Sequence, residues 1–272
     1  MKKALYGILA LTMAASLAGC SSKTDNGGND GGKENTPAAA GPDTEKGEGV
    51  MTYAEYADAN VDDKVTIEAY VQAKQSWWDN KGTFFAQDAD GGYFIYEMQI
   101  SEDDYKKLVE GQKVKISGYK AEWSGEVEII EAEYEILDGN WIAPAKDVTA
   151  DLNTDKLIDS INQKVVFKGL KIEPAEFTEG GGVYEVYKNE AGEDQGYMYK
   201  YNGTGAQGDD VYFTVSKDGV NFTFLVRSYL TDSSTDVYKA AEAFEIGKTY
   251  DLEGFLYWYN GANPYITNIK AN

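Results

Sequence analysis

The sequence predicts a mainly β protein: two tandem five-stranded barrels with short helices, behind a disordered N-terminal tether. Three observations predict it. The first is a repeat: residues 111–130 read GQKVKISGYKAEWSGEVEII and residues 247–266 read GKTYDLEGFLYWYNGANPYI. Adding 136 carries Gly111 to Gly247, Ile116 to Leu252, Gly118 to Gly254, Gly125 to Gly261 and Ile130 to Ile266. Self-similarity at a fixed offset marks one structural unit used twice. The second is composition: 29 Gly, 5 Pro and 13% aromatic residues in 272 suit short strands joined by many turns. The third is the recurrence of apolar residues at period two.

The chain opens with Lys2 and Lys3 ahead of an apolar run from Leu5 to Leu17, too short for a comfortable membrane span. The run ends in Leu17-Ala18-Gly19-Cys20, which resembles a bacterial lipobox: a branched aliphatic residue, two small residues and a Cys. The resemblance implies that residues 1–20 are a lipoprotein signal peptide and that Cys20 is lipidated. It also implies a protein anchored in the cell membrane by lipid, on the extracytoplasmic side. The alternative is a plain secretory signal with a chance Cys. Cys20 is the only Cys, so no internal disulfide can form. Residues 21–50 have almost no branched apolar residue and are predicted to be a disordered linker.

Residues 51–145 form the first predicted barrel. Thr52-Tyr53-Ala54-Glu55 is a capping box opening a short helix that ends near Asn60. Val65 to Val71 alternates as a strand. Ser76 to Gly82 is a loop holding Trp77 and Trp78. Gly82 to Asp88 is the second strand, Asp90-Gly91 a hairpin turn, and Tyr93 to Met98 the third strand. Ser101 caps a helix with Glu102, Asp103 and Asp104 in its first turn, and Gly111 closes it. The repeated hairpin follows, turning at Ser124-Gly125. Strand, strand, strand, helix, strand, strand is the order of an OB-fold; another small barrel or sandwich shares the generic pattern.

Residues 146–272 form the second, after a junction at Trp141 to Ala145. Lys64-Val65 recurs as Lys164-Val165 at an offset of 100. Phe84-Phe85 recurs as Tyr212-Phe213 and Asp90-Gly91 as Asp218-Gly219, at 128. The growing offset predicts a β-hairpin insertion at about 176–208, with arms Val183 to Tyr187 and Tyr197 to Tyr201 around a polar turn at Asn189 to Asp194. Asp151 to Ile161 reads as a leading helix with Leu157, Ile158 and Ile161 inward, and Asp236 to Phe244 as a helix capped by Ser233 or Ser234. With these patterns the chain resembles a bacterial surface lipoprotein with tandem OB-fold-like domains, related in pattern to OB-folds of the nucleic-acid-binding type. That resemblance transfers no functional residue, because the group is defined by strand pattern.

The net charge is −21; residues 51–150 hold 9 basic and 21 acidic side chains, and residues 151–272 hold 11 and 19. Acidity on both units repels polyanions and disfavours nucleic-acid backbone binding, which needs clustered Lys and Arg. Arg227 is the only Arg. The absence of His removes the commonest general base and metal ligand. No catalytic residue, cofactor or metal is expected; Asp88-Ala89-Asp90-Gly91 has a fragment of a calcium loop but reads as a turn.

OB-folds bind ligands on the face of strands two and three, rimmed by the loops joining strands one-two and four-five. Those loops supply the candidate ligand-binding residues: Trp77, Trp78 and Trp123 in the first unit, Tyr184, Tyr187, Trp258 and Tyr259 in the second. Exposed rings stack on sugars, bases or partner side chains, while buried ones plug a barrel end. Trp77 and Trp78 are neighbours, so in extended chain one of them faces out. Phe84, Tyr93, Tyr96, Phe222 and Phe224 are assigned to cores.

The leading expectation is a membrane-anchored, non-enzymatic binding lipoprotein for a carbohydrate or protein ligand. One alternative is an OB-fold nucleic-acid-binding module, suggested by fold analogy against the charge. Another is an envelope hydrolase or its accessory subunit, signalled by two opposed carboxyl groups in a cleft near Trp77 or Tyr187. A structural spacer without a pocket is a third.

Overall fold

A computed structural model describes residues 41–178 and 183–272. The expected signal peptide, Cys20 and residues 21–40 of the linker lie outside the described residues.

The first barrel contains α1 (Tyr53–Asp58), β1 (Lys64–Lys74), β2 (Lys81–Gln87), β3 (Gly92–Gln99), α2 (Glu102–Lys107), β4 (Gln112–Trp123) and β5 (Glu126–Asn140). Thr52 and Glu55 complete the reciprocal capping box of α1, and the Ser101 hydroxyl accepts the Asp104 N–H at α2. The strands close in the order β1-β2-β3-β5-β4, with β3 and β5 parallel and the other pairs antiparallel. Val65, Ile67, Phe84, Ile95, Ile116 and Ile129 fill the interior from alternate strand positions.

The second barrel runs through β6 (Lys146–Asp147), a 3-10 turn (Leu157–Ser160), β7 (Lys164–Glu173), β8 (Glu176–Phe177), β9 (Glu185–Val186), β10 (Met198–Tyr199), β11 (Val211–Lys217), β12 (Val220–Val226), α3 (Asp236–Glu242), β13 (Thr249–Phe255) and β14 (Tyr265–Ala271). The ring β7-β11-β12-β14-β13 closes through β11–β7 pairing, so the connectivity of the first barrel recurs; β6 and β10 are added outside the ring.

The repeat has a physical reason in its glycines. A Cβ on Gly118 would sit 2.7 Å from the Ile130 carbonyl oxygen, and one on Gly254 2.0 Å from that of Tyr265. Strands four and five cross too closely there for any side chain. The offset of 128 in the second and third strands is corrected to 129. Phe84 pairs with Ile95 inside the first barrel, as Phe213 pairs with Phe224 inside the second; the outward pair Phe85–Phe94 corresponds to Thr214–Thr223. A slip of one residue exchanges the two faces of a strand.

Other expectations change. Residues 151–161 make only the 3-10 turn, and Ile158 is exposed. Asp151 and Thr154 form local turn hydrogen bonds instead, as short polar side chains favour. Thr235, not Ser233 or Ser234, caps α3; Ser234 donates its hydroxyl to Asp232. Tyr96 is exposed on the outward row of β3 rather than buried in the core. The insertion keeps its polar turn, bridged by Lys188 and Asp194, but its arms pair elsewhere: β9 with β8, and β10 with the edge of β11. Residues 43–50, counted in the linker, lie along the first barrel. Lys46 reaches the buried Asp88 carboxylate at 2.5 Å, and Asp43 pairs with Lys113 at 3.0 Å. A buried carboxylate requires such a cation.

The two barrels share a third apolar cluster. Phe85 and Phe94 point away from their own core yet are buried, together with Leu225, Phe255, Tyr257 and Tyr265. Phe85 stacks on Phe255 with ring centroids 4.6 Å apart and planes 12° apart, and Phe94 meets Tyr257 edge-on at 5.4 Å. Gly92 lies so close to Asn162 that a Cβ would approach its carbonyl carbon to 2.3 Å. The second barrel therefore covers the β2–β3 face of the first.

Candidate functional site

In the second barrel the corresponding face is covered at Thr214 by Glu176 and open at Thr223. Above Thr223 on β12 lies a cleft of about 580 Å³. One wall is the insertion, through Glu176, Phe177, Tyr184 and Tyr201; the other is the β13–β14 connection, through Tyr257, Tyr259 and Asn263, with Trp123 of the first barrel. Tyr212, Tyr265 and Arg227 complete the lining. Local bonds fix the insertion wall: the Glu176 N–H donates to the Thr214 hydroxyl at 3.0 Å, and Asn221 donates its amide to the Glu176 carboxylate at 3.2 Å.

Aromatic rings dominate this cleft. Tyr257 and Tyr265 stack at 4.4 Å and 21°. Burial pushes both hydroxyls far above the ordinary tyrosine range, so they stay neutral. Trp123 and Tyr259, which occupy the same position of the repeat, meet at 5.1 Å; they are 56% and 48% exposed, leaving ring surface free. Their turns are tied together by the Asn260 N–H donating to the Ser124 carbonyl at 2.7 Å. Arg227 donates to Asp210 at 2.6 Å, and its guanidinium carbon lies 5.0 Å from the Tyr229 ring centre and 5.7 Å from that of Tyr265. Asp210 also accepts the Ser228 N–H and hydroxyl, so it is fixed before it orients the guanidinium.

The candidate residues separate into groups. Trp123, Tyr184 and Tyr259 line the cleft. Trp258 turns away, half-buried against the second core and against Gly125. Tyr187 lies against Gly203 within the insertion. Trp77 is half-buried, donating its indole N–H to the Ile100 carbonyl, while Trp78 is 67% exposed. Trp77 and Trp78 belong to a second groove of about 440 Å³ that includes Tyr96 and Tyr229 and reaches Arg227 from the other side. Its carboxylate, Glu97, is paired with Lys81 at 2.6 Å, and among the described residues no second carboxyl group lines the groove beside Trp77. The calcium-loop fragment is occupied from within: Asp88 accepts the Asp90 and Gly91 N–H groups, the Tyr93 hydroxyl and Lys46.

Sequence reasoning missed Tyr212, Tyr257 and Tyr265 as site residues. The correct register would have shown Tyr212 facing outward; nothing local marks Tyr257 and Tyr265, because contact between the barrels sets their exposure.

No family model and no curated protein matches the chain. Solved structures similar to it include a murine DNA-binding protein bound to double-stranded DNA, 12% identical, covering 76% of this chain and 96% of that one, with a TM-score of 0.33. Another is the Ifi202 HINa domain in complex with 20-base-pair double-stranded DNA, 10% identical, covering 78% and 97%, at 0.31. A third is a deletion mutant of the single-stranded DNA-binding protein from Thermus aquaticus, 12% identical, covering 77% and 93%, at 0.22. Likeness at this level transfers no site. The leading expectation, a carbohydrate or protein ligand, finds no support in these structures, which are of DNA-binding proteins.

Proposed function

We propose that the cleft of the second barrel binds a short single-stranded nucleic-acid segment by stacking its bases. The observation that carries the reading is the cleft over Thr223, walled by the free rings of Trp123 and Tyr259 and lined by Tyr212 and Tyr265, with Arg227 beside them. Every base has a π-face, and stacking contributes about 1–3 kcal/mol per base. Arg227, held by Asp210, supplies a planar donor set beside the rings. Net charge does not exclude this mode: −21 opposes a basic track along phosphates, not the insertion of an unstacked base between rings. A duplex hides its base faces and is a poor ligand for such a cleft. The site acts by binding, without catalysis.

The N-terminal expectation is retained alongside it, supported by Leu17-Ala18-Gly19-Cys20: lipid on Cys20 anchors the barrels to the cell membrane on its extracytoplasmic side, and intact-mass analysis of membrane-extracted protein tests it.

The binding test is fluorescence anisotropy with a labelled hexathymidylate and a labelled duplex. Saturable binding of the single strand with at least tenfold preference over the duplex is expected. Equal affinity for the duplex, or no binding of the single strand at millimolar protein, overturns the reading.

A further inference from the structure

Below the clasped turns, the contact between the barrels is built around an acid with no cation beside it among the described residues. Glu126, the first residue of β5, is fully buried. Its Oε2 accepts the Trp258 N–H at 2.8 Å, from the loop that carries Tyr257 and Tyr259. Its Oε1 has no partner among the described residues, and neither has the equally buried Oδ1 of Asn162. Burial raises the Glu126 carboxyl more than the Trp258 N–H and the neighbouring Asn162 side chain lower it, and the Asn162 amide nitrogen itself donates to the Val127 carbonyl at 2.9 Å. The other titratable groups facing Glu126 are Glu128 on the same strand, Tyr56 from α1 and Tyr257 from the second barrel. None of these is a cation. The surroundings leave no slack, since a Cβ on Gly125 would lie 2.7 Å from the Trp258 ring.

An ionised Glu126 would be a buried charge that no cation among the described residues offsets, and a single proton removes that charge. We propose that Glu126 is a neutral acid in the native protein and serves as a proton-dependent latch, holding the Trp258–Tyr259 loop of the second barrel against the β4–β5 turn of the first. Burial pushes its carboxyl up to about 8, and burial together with Glu97 pushes Glu128 up to about 7. Ionisation at higher pH loosens the contact that positions Tyr259. The latch does not depend on which ligand the cleft takes.

The sign follows from proton linkage. In the unfolded chain Glu126 ionises near its ordinary value, whereas the native state keeps the proton to about pH 8, so unfolding releases a proton in between. Stability contributed by the latch is complete in mild acid, falls as pH rises, and levels off above about 8. The folding equilibrium constant drops by roughly tenfold per pH unit in that window. The chain has no His to mask the effect.

Urea unfolding of the full chain at pH 6, 7 and 8 tests the latch, with Glu126→Gln and Glu128→Gln beside the wild type. The amide introduced by Glu126→Gln reproduces the neutral acid: its oxygen still accepts the Trp258 N–H, and it carries no charge at any pH. The wild type is expected to lose on the order of a hundredfold in folding equilibrium constant from pH 6 to 8. Glu126→Gln abolishes most of that loss; Glu128→Gln keeps most of it. At pH 8, amide exchange in residues 122–127 and 256–264 is faster in wild type than in Glu126→Gln; at pH 6 the two agree. An undiminished pH-dependent loss in Glu126→Gln, or equal exchange at pH 8, overturns the proposal.

Discussion

Tyr259 and Phe85 show how differently two aromatic side chains are used. Tyr259 keeps nearly half its surface free beside Trp123, so its ring is available to a ligand. Replacing it with Ala is expected to weaken hexathymidylate binding by roughly five- to a hundredfold, the range of one lost stacking contact, with no shift in the urea midpoint. Anisotropy titration and denaturation on the same preparation check both halves. Phe85 is an outward residue of β2 that is fully buried against Phe255. Phe85→Ala is expected to destabilise the protein by about 3–5 kcal/mol, the usual cost of emptying a buried aromatic site, measured by urea unfolding. Retained stability would mean that the barrels can separate without loss. Neither role can be read from residue type; both depend on what lies across from the side chain.

Among the elements, the crossing of strands four and five is the least tolerant. Gly254 has backbone on the side where a Cβ would project, with the Tyr265 carbonyl oxygen 2.0 Å away. Gly254→Ala is expected to prevent folding of the second barrel or to lower its stability by several kcal/mol, read as loss of cooperative unfolding. Thr52→Ala removes the capping box of α1 and is expected to cost about 1 kcal/mol, visible in the urea midpoint. The hairpin repeat, α1 and α2 were legible because their signals are local: caps, turn residues and alternation. The leading helix of the second unit was not, because its apolar spacing is met equally by a 3-10 turn that buries Leu157 and Ile161 and leaves Ile158 in water. The register of β11 was lost for a similar reason. Tyr212-Phe213 matches Phe84-Phe85 aromatic for aromatic, while the pleat aligns Phe213 with Phe84.

For the molecule as a whole, the two barrels have unequal duties: one closes its β2–β3 face with Phe85 and Phe94, and the other leaves its β11–β12 face open at Thr223, with Thr214 covered by Glu176. The sparse basic charge predicts a weak salt dependence. If Arg227 is the main cation near bound phosphate, the logarithm of hexathymidylate affinity should fall with a slope of about −1 or shallower against the logarithm of salt concentration. Titration at roughly 50 and 200 mM salt would measure it, and a slope near about −4 would point to a basic track that the stacking reading does not contain. The amino-acid order set the number of barrels, their strand order and the glycine-marked crossings, since these follow from local pairing, turn chemistry and sterics. It also set which loops are rich in aromatic side chains. Folding the two copies against each other decided which face stayed open, which rings remained free, and why Glu126 lacks a cation. Those outcomes depend on burial between residues more than a hundred positions apart, such as Glu126 and Trp258 or Phe85 and Phe255, and no local pattern encodes that burial.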